Sequence, residues 1–152
     1  MDFEEVIKRT HRIAATIGYS VFGALVLYFA LEELIRNKLA PFSGFSPLAN
    51  HQTLRYIFYG LSAVSIILAR WLQSFLLKKR PEDTPEILLN KLHQTSIIMI
   101  IMSELPALFG LFLFLMAGLN RDFYVLLIIS VAVLFIFFPR RHNWEEWISN
   151  QR

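Results

Sequence analysis

The stretch that most constrains this chain is residues 97–118, IIMIIMSELPALFGLFLFLMAG, apolar throughout except for Ser103 and Glu104. Runs of about 18 or more apolar residues have the length of a bilayer-crossing helix. A helix also satisfies its own backbone groups where lipid offers no hydrogen-bond partner. Three further runs share this character, and the chain reads as four spans at residues 13–31, 56–77, 92–118 and 123–138. The third is long enough to tilt. The fourth is the shortest and is ended by Pro139, which cannot continue a helix. The expected fold is all-α: a single membrane domain, built as a four-helix bundle with interfacial amphipathic helices at both termini.

Composition supports that reading. Hydrophobic residues make up 55% of the 152 positions, and 14 Phe and 5 Tyr lie along long runs instead of alternating as in strands. With a mean hydropathy of +0.47, the chain is too apolar for a soluble domain of this size. Cysteine is absent, which excludes a disulfide framework, a thiolate metal site and a cysteine nucleophile. The net charge of +3 does not point to nucleic acid. Basic residues instead flank the apolar runs, where lipid headgroups meet them. The N-terminus, MDFEEVIKRTHR, carries three acids, and the first run ends in Glu32-Glu33 instead of a small-residue cleavage site. The first run is therefore expected to stay as an anchor.

Orientation follows from the Lys and Arg count. Lys8, Arg9 and Arg12 in the N-terminal tail, Lys78, Lys79, Arg80 and Lys91 in the second loop, and Arg140, Arg141 and Arg152 in the C-terminal tail share one side. Arg36, Lys38, Arg55 and Arg121 face the other. The positive-inside rule places both termini in the cytoplasm, of a bacterial inner membrane or its equivalent. Residues 78–91, KKRPEDTPEILLNK, then form a charged cytoplasmic loop, and residues 37–52 a longer outer loop whose Phe42, Phe45 and Leu48 can rest on the membrane surface. In the N-terminal tail Phe3, Val6, Ile7 and residues 10–13 recur at helical spacing. In the C-terminal tail Trp144, Trp147 and Ile148 share a face beside Arg140 and Arg141. Helices of this kind lie along the headgroup layer, and Arg140, Arg141, Trp144 and Trp147 are the expected interface anchors. A short likeness between Val21-Phe22-Gly23 and Leu108-Phe109-Gly110, which sets Ile17 against Glu104, suggests an internal duplication.

Glu104 is the main functional candidate. An acid at the centre of a membrane helix costs about 2.5–3.5 kcal/mol on insertion scales. The surrounding Leu, Ile and Phe, at about 0.3–0.6 kcal/mol each, can offset this. Glu104 lies roughly 20 Å beyond Lys91 along a helix, too deep for its short side chain to reach the headgroups. Three readings compete. As a proton or cation site, with Ser103 and Ser65 nearby, Glu104 would be neutral in lipid and release its proton where a polar path opens. Pro106 would bend the helix and free the Met102 carbonyl beside the acid. As a structural ion pair, Glu104 would meet Arg70, the base inside a span. A hairpin of spans two and three folded near residue 84 puts Arg70 opposite Met99 and Glu104 opposite Ser65, an offset of roughly 7 Å. Alternatively Arg70 snorkels to the headgroups. As a partner contact, Glu104 would bond a polar group on another subunit's helix.

The pattern around this acid resembles the carboxylate-bearing helix of the proteolipid (c) subunit of rotary ATPases. In that family an acid is followed by an aliphatic residue, an aromatic, Gly and Leu; here Glu104 is followed by Leu108, Phe109, Gly110 and Leu111. The family's polar hairpin loop is matched by Arg80-Pro81-Glu82, and the likeness covers roughly residues 55–118. It implies a helical hairpin whose glutamate carries a translocated proton or sodium ion. This sequence departs from the family in lacking a glycine ladder, since span two holds Gly60 alone and carries Arg70, Trp71 and Gln73 near its end.

Other chemistry has thinner support. The histidines, His11, His51, His93 and His142, are far apart in sequence, and metal sites need tight clusters. Phosphate-loop, HExxH and GxSxG motifs are absent. Glu32, Glu33 and Arg36 at the outer end of span one are the nearest candidate for the interfacial polar cluster of a lipid-modifying membrane enzyme, and otherwise read as solvated end charges. The sequence thus points to a non-enzymatic membrane subunit with no cofactor or metal, in contact with the lipid bilayer and with no nucleic acid. Its Glu104 binds a proton or cation within a homo-oligomer or larger membrane complex. The alternative is a structural or accessory subunit in which Glu104 pairs with Arg70 or a partner helix.

Overall fold

Four helices account for nearly all of the computed structural model, which describes residues 3–46, 50–78, 83–139 and 144. They are α1 (Phe3–Lys38), α2 (His51–Leu76), α3 (Pro85–Ala117) and α4 (Asn120–Phe137). Each is long and apolar enough to cross a membrane. Arg80-Pro81-Glu82, Leu48, Arg140, Arg141 and Trp147 lie outside the described residues.

Local chemistry explains most boundaries. Asn50 caps α2, its side-chain oxygen accepting from the Gln52 and Thr53 amides at 3.1 and 3.3 Å. Helix α3 starts where Thr84 is followed by Pro85, whose fixed φ suits a first helical position. It ends at Gly118, in the left-handed region at φ 65°, with the Gly118 amide donating to Phe114. Lys91 pairs with Asp83 and closes the α2–α3 connection.

Helix α3 is the central element. It packs on α4, α2 and α1, α4 touches α1 and α2 more lightly, and α1 and α2 barely meet. Its buried Ser103, Ala107, Gly110 and Ala117 recur along the helix, and Ala107 and Gly110 face α4. Such residues let two backbones approach closely in lipid. A Cβ on Gly110 would stand 3.0 Å from that of Leu126. Outward faces carry exposed apolar side chains such as Leu27, Ile67, Phe112 and Ile128, as expected of surfaces solvated by acyl chains.

Three expectations change. The N-terminal tail is not a separate interfacial helix, because α1 runs unbroken from Phe3 to Lys38. Its Ile7 is 5% exposed and packs with Leu89 and Leu92 of α3. The apolar face read as lipid-directed therefore has a protein partner. Trp144 likewise has a protein partner: it is 4% exposed, in the same cluster and edge-on to His11 at 5.5 Å. Finally, part of the 37–52 loop has a protein partner. Phe42 packs on Phe114, and the Phe45 and Ser46 amides donate to the Leu115 and Met116 carbonyls at 2.8 and 3.1 Å. Those carbonyls belong to the last turn of α3, which lacks partners of its own.

That cap depends on Gly44. Its φ is 90°, and a Cβ there would lie 2.3 Å from the Met116 carbonyl oxygen. Gly44→Ala should therefore cost about 1–3 kcal/mol of stability in a denaturant titration of the detergent-solubilised protein. Gly23→Ala, which adds a Cβ to a helical glycine with nothing within 4 Å, should be neutral or stabilising.

Candidate functional site

The site begins with a break in the backbone ladder of α3. Pro106 carries no N–H, and its ring crowds the carbonyl four residues back. The next amide, Ala107, donates across to Ser130 Oγ of α4 at 2.8 Å. The same hydroxyl lies 3.5 Å from the Glu104 carbonyl. Ser130 is fully buried. The backbone around Glu104 is thus pinned to α4. Its side chain turns the other way, and Tyr28 Oη of α1 donates to Glu104 Oε1. Glu104 is half-buried, standing between two helices that are distant in sequence.

The other residues singled out from sequence are arranged differently. Ser103 Oγ donates to the Ile100 carbonyl at 2.6 Å, and Ser65 Oγ to the Ser62 carbonyl at 2.8 Å. Both hydroxyl protons are thereby committed to their own helices. Ala69 and Met99 share one cluster, so the α2–α3 hairpin has nearly the expected register. Arg70 nevertheless does not meet Glu104. It is exposed, with its guanidinium 5.5 Å from the centre of the Phe137 ring. Among the described residues no ion pair includes either of them. A long side chain near a helix end reaches water at little cost, and an aromatic face on the way holds it there.

A second polar group lies one turn along α1 from Tyr28. Tyr124 Oη of α4 is 2.6 Å from Glu32 Oε2 and 2.7 Å from Glu33 Oε1. Arg36 Nη2 donates to both Glu33 oxygens at 2.7 Å. Glu32 is 0% exposed, which corrects its reading as a solvated end charge. It shares the face of Tyr28, four residues earlier, and that face turns into the bundle; Glu33 and Arg36 stay at the edge. A third group joins α2 to α4. Arg55 donates to Asp122 Oδ2 through Nε at 3.1 Å and Nη2 at 2.8 Å, and Tyr59 donates to Asp122 Oδ1 at 3.1 Å.

Among the described residues, no group of three or more His, Cys, Asp or Glu is placed to hold a metal ion. The two glycines of the suggested duplication have unlike surroundings: Gly110 abuts Phe123 and Leu126, whereas Gly23 has open space. No protein family, curated protein or solved structure matches the chain.

Sequence reasoning missed Tyr28, Ser130 and Tyr124. A signal existed for Tyr28, since it and Glu32 stand at i and i+4 and so share a helix face. Ser130 was visible as a hydroxyl in an otherwise apolar span. Which helices these groups meet was not.

Two substitutions test the arrangement. Glu104→Gln keeps an acceptor for Tyr28 and does not touch the surroundings of Arg70, so the thermal unfolding profile in detergent should move by less than about 1 kcal/mol equivalent. A pair between Glu104 and Arg70 would instead make that change strongly destabilising. Asp122→Ala removes the acceptor of both Arg55 and Tyr59 and should cost about 1 kcal/mol in the same assay.

Proposed function

We propose that this chain is a small multi-pass membrane subunit in which Glu104 binds a proton or cation, working within an oligomer or larger complex with both termini cytoplasmic. The observation that carries this reading is the partner of Glu104. An acid in a helix apolar enough to cross a membrane is held by a neutral tyrosine hydroxyl. A carboxylate bound this way can gain or lose a proton without stranding a buried cation. The Pro106 break supplies further polarity at the same depth, and Ser130 and Tyr28 hold the acid in place from two sides. The likeness of residues 104–111 to proteolipid subunits points the same way. A tight ring of the proteolipid kind is not part of the proposal, because Gly110 of that motif is already occupied by α4 of the same chain.

A structural or accessory role is the second reading. Its support is the same hydroxyl, since the Tyr28–Glu104 bond ties α1 to α3. The two readings differ in whether the acid exchanges its proton. A carbodiimide that modifies protonated carboxyls in apolar surroundings, applied to the protein in lipid across a pH series and read by mass spectrometry at Glu104, separates them. Labelling should rise as pH falls and vanish in Glu104→Gln. Labelling that stays absent to mildly acidic pH would establish the structural role instead.

A further inference from the structure

The Glu32–Tyr124–Glu33 group poses a problem of proton counting. A phenol has one hydrogen and can donate one short bond. Tyr124 Oη nevertheless lies 2.6 Å from one carboxyl oxygen and 2.7 Å from another, on different residues. If both carboxyls were ionised, one contact would set two oxygen lone pairs together with no hydrogen between them. A further proton is needed. Arg36 does not supply it at Glu32, because its Nη2 is directed to the two oxygens of Glu33. Glu33 is thereby the ionised member. Glu32 is completely buried, and its Oε1 has no hydrogen-bond partner among the described residues. A buried carboxylate would need donors at both oxygens, whereas the carbonyl oxygen of a neutral acid tolerates their lack far better.

We propose that Glu32 is a second proton-binding site, carrying a proton that it donates to Tyr124 Oη while Tyr124 donates its own to Glu33. Helix α1 itself brings Tyr28, Glu33 and Arg36; the Arg36 charge reaches Glu32, but its hydrogen bonds go to Glu33. Helix α4 brings Tyr124 and Asp122, the latter engaged by Arg55 and Tyr59 of α2. Helix α3 brings Glu104, engaged by Tyr28. The site also has an exit. As the Glu32 O–H bond breaks, Tyr124 Oη takes that proton, and the Tyr124 O–H bond breaks to place its proton on Glu33 Oε1. Tyrosine ends neutral, Glu32 ends as the carboxylate and Glu33 as the acid. The Glu33 side chain is 30% exposed at the end of the bundle and passes the proton on to water. This site stands independently of the role of Glu104.

Infrared spectroscopy of the protein in lipid vesicles at neutral pH tests it, through the C=O stretch of a protonated carboxyl. The expected result is a band that shifts in D2O, is lost in Glu32→Gln and persists in Glu104→Gln. Tyr124→Phe should slow the D2O shift of that band; an unchanged rate would overturn the exit route. A carboxylic-acid region unaltered by Glu32→Gln would overturn the site. Glu32→Gln is also the isostere of the neutral acid and should fold, so a chain that loses its helical circular dichroism would count equally against it. A band that appears only when sodium is withdrawn would assign the space to a cation and overturn the proton.

Discussion

The amide of Ala107 donates across to Ser130 of α4, and this contact beside the Pro106 break ties the central helix to its main neighbour. Pro106 disrupts the ladder of α3 in the middle of a helix apolar enough to cross a membrane, where an unmet backbone group costs several kcal/mol. Ser130 answers from α4. It can do so because Ala107 and Gly110 let the two helices approach closely. That approach holds α3 against α4 at the level of Glu104, whose side chain is bonded by Tyr28 of α1. The remaining helices arrange themselves on the pair, with α2 and α1 on separate flanks.

The polar contacts also decide how the helices are oriented. Between membrane helices, apolar side chains gain little over contact with acyl chains, so they leave rotation and register weakly specified. Here four of the helix pairs have at least one polar tie, while α2 and α3 meet through apolar packing such as Ala69 against Met99. Tyr28 and Glu104 join α1 to α3, Tyr124 joins α4 to Glu32 and Glu33 of α1, Arg55 and Tyr59 hold Asp122 between α2 and α4, and Ser130 locks α3 to α4. All four ties use a tyrosine or serine hydroxyl, and only the one at Asp122 adds a cation, Arg55.

What could be read in advance followed from what is local. Apolar runs located all four helices because helix length and lipid solubility are properties of a segment. Thr84-Pro85 and Gly118 explain why α3 outruns its apolar stretch at one end and stops where it does at the other. Glu104 was visible because a charge stands out in IIMIIMSELPALFG. Its partner was not, because Tyr28 is 76 residues away and reads as one more aromatic in an apolar run. The same limit misassigned Glu32, whose position near a helix end looks solvated until α4 is laid over it. Trp144 and Ile7 were given to lipid for a related reason: an amphipathic face announces that it will be covered, and says nothing of whether by headgroups or by α3.

Helix α1 has one further consequence. At about 1.5 Å per residue its 36 residues reach about 54 Å, well beyond the roughly 30 Å of a hydrocarbon core. It is unbroken, with Tyr28 bound to Glu104 deep in the bundle and His11 Nε2 donating to the Pro139 carbonyl at 2.9 Å near the opposite end. One continuous helix therefore links the Tyr28–Glu104 contact to the His11–Pro139 contact, and the two ends of the bundle share a single rigid strut.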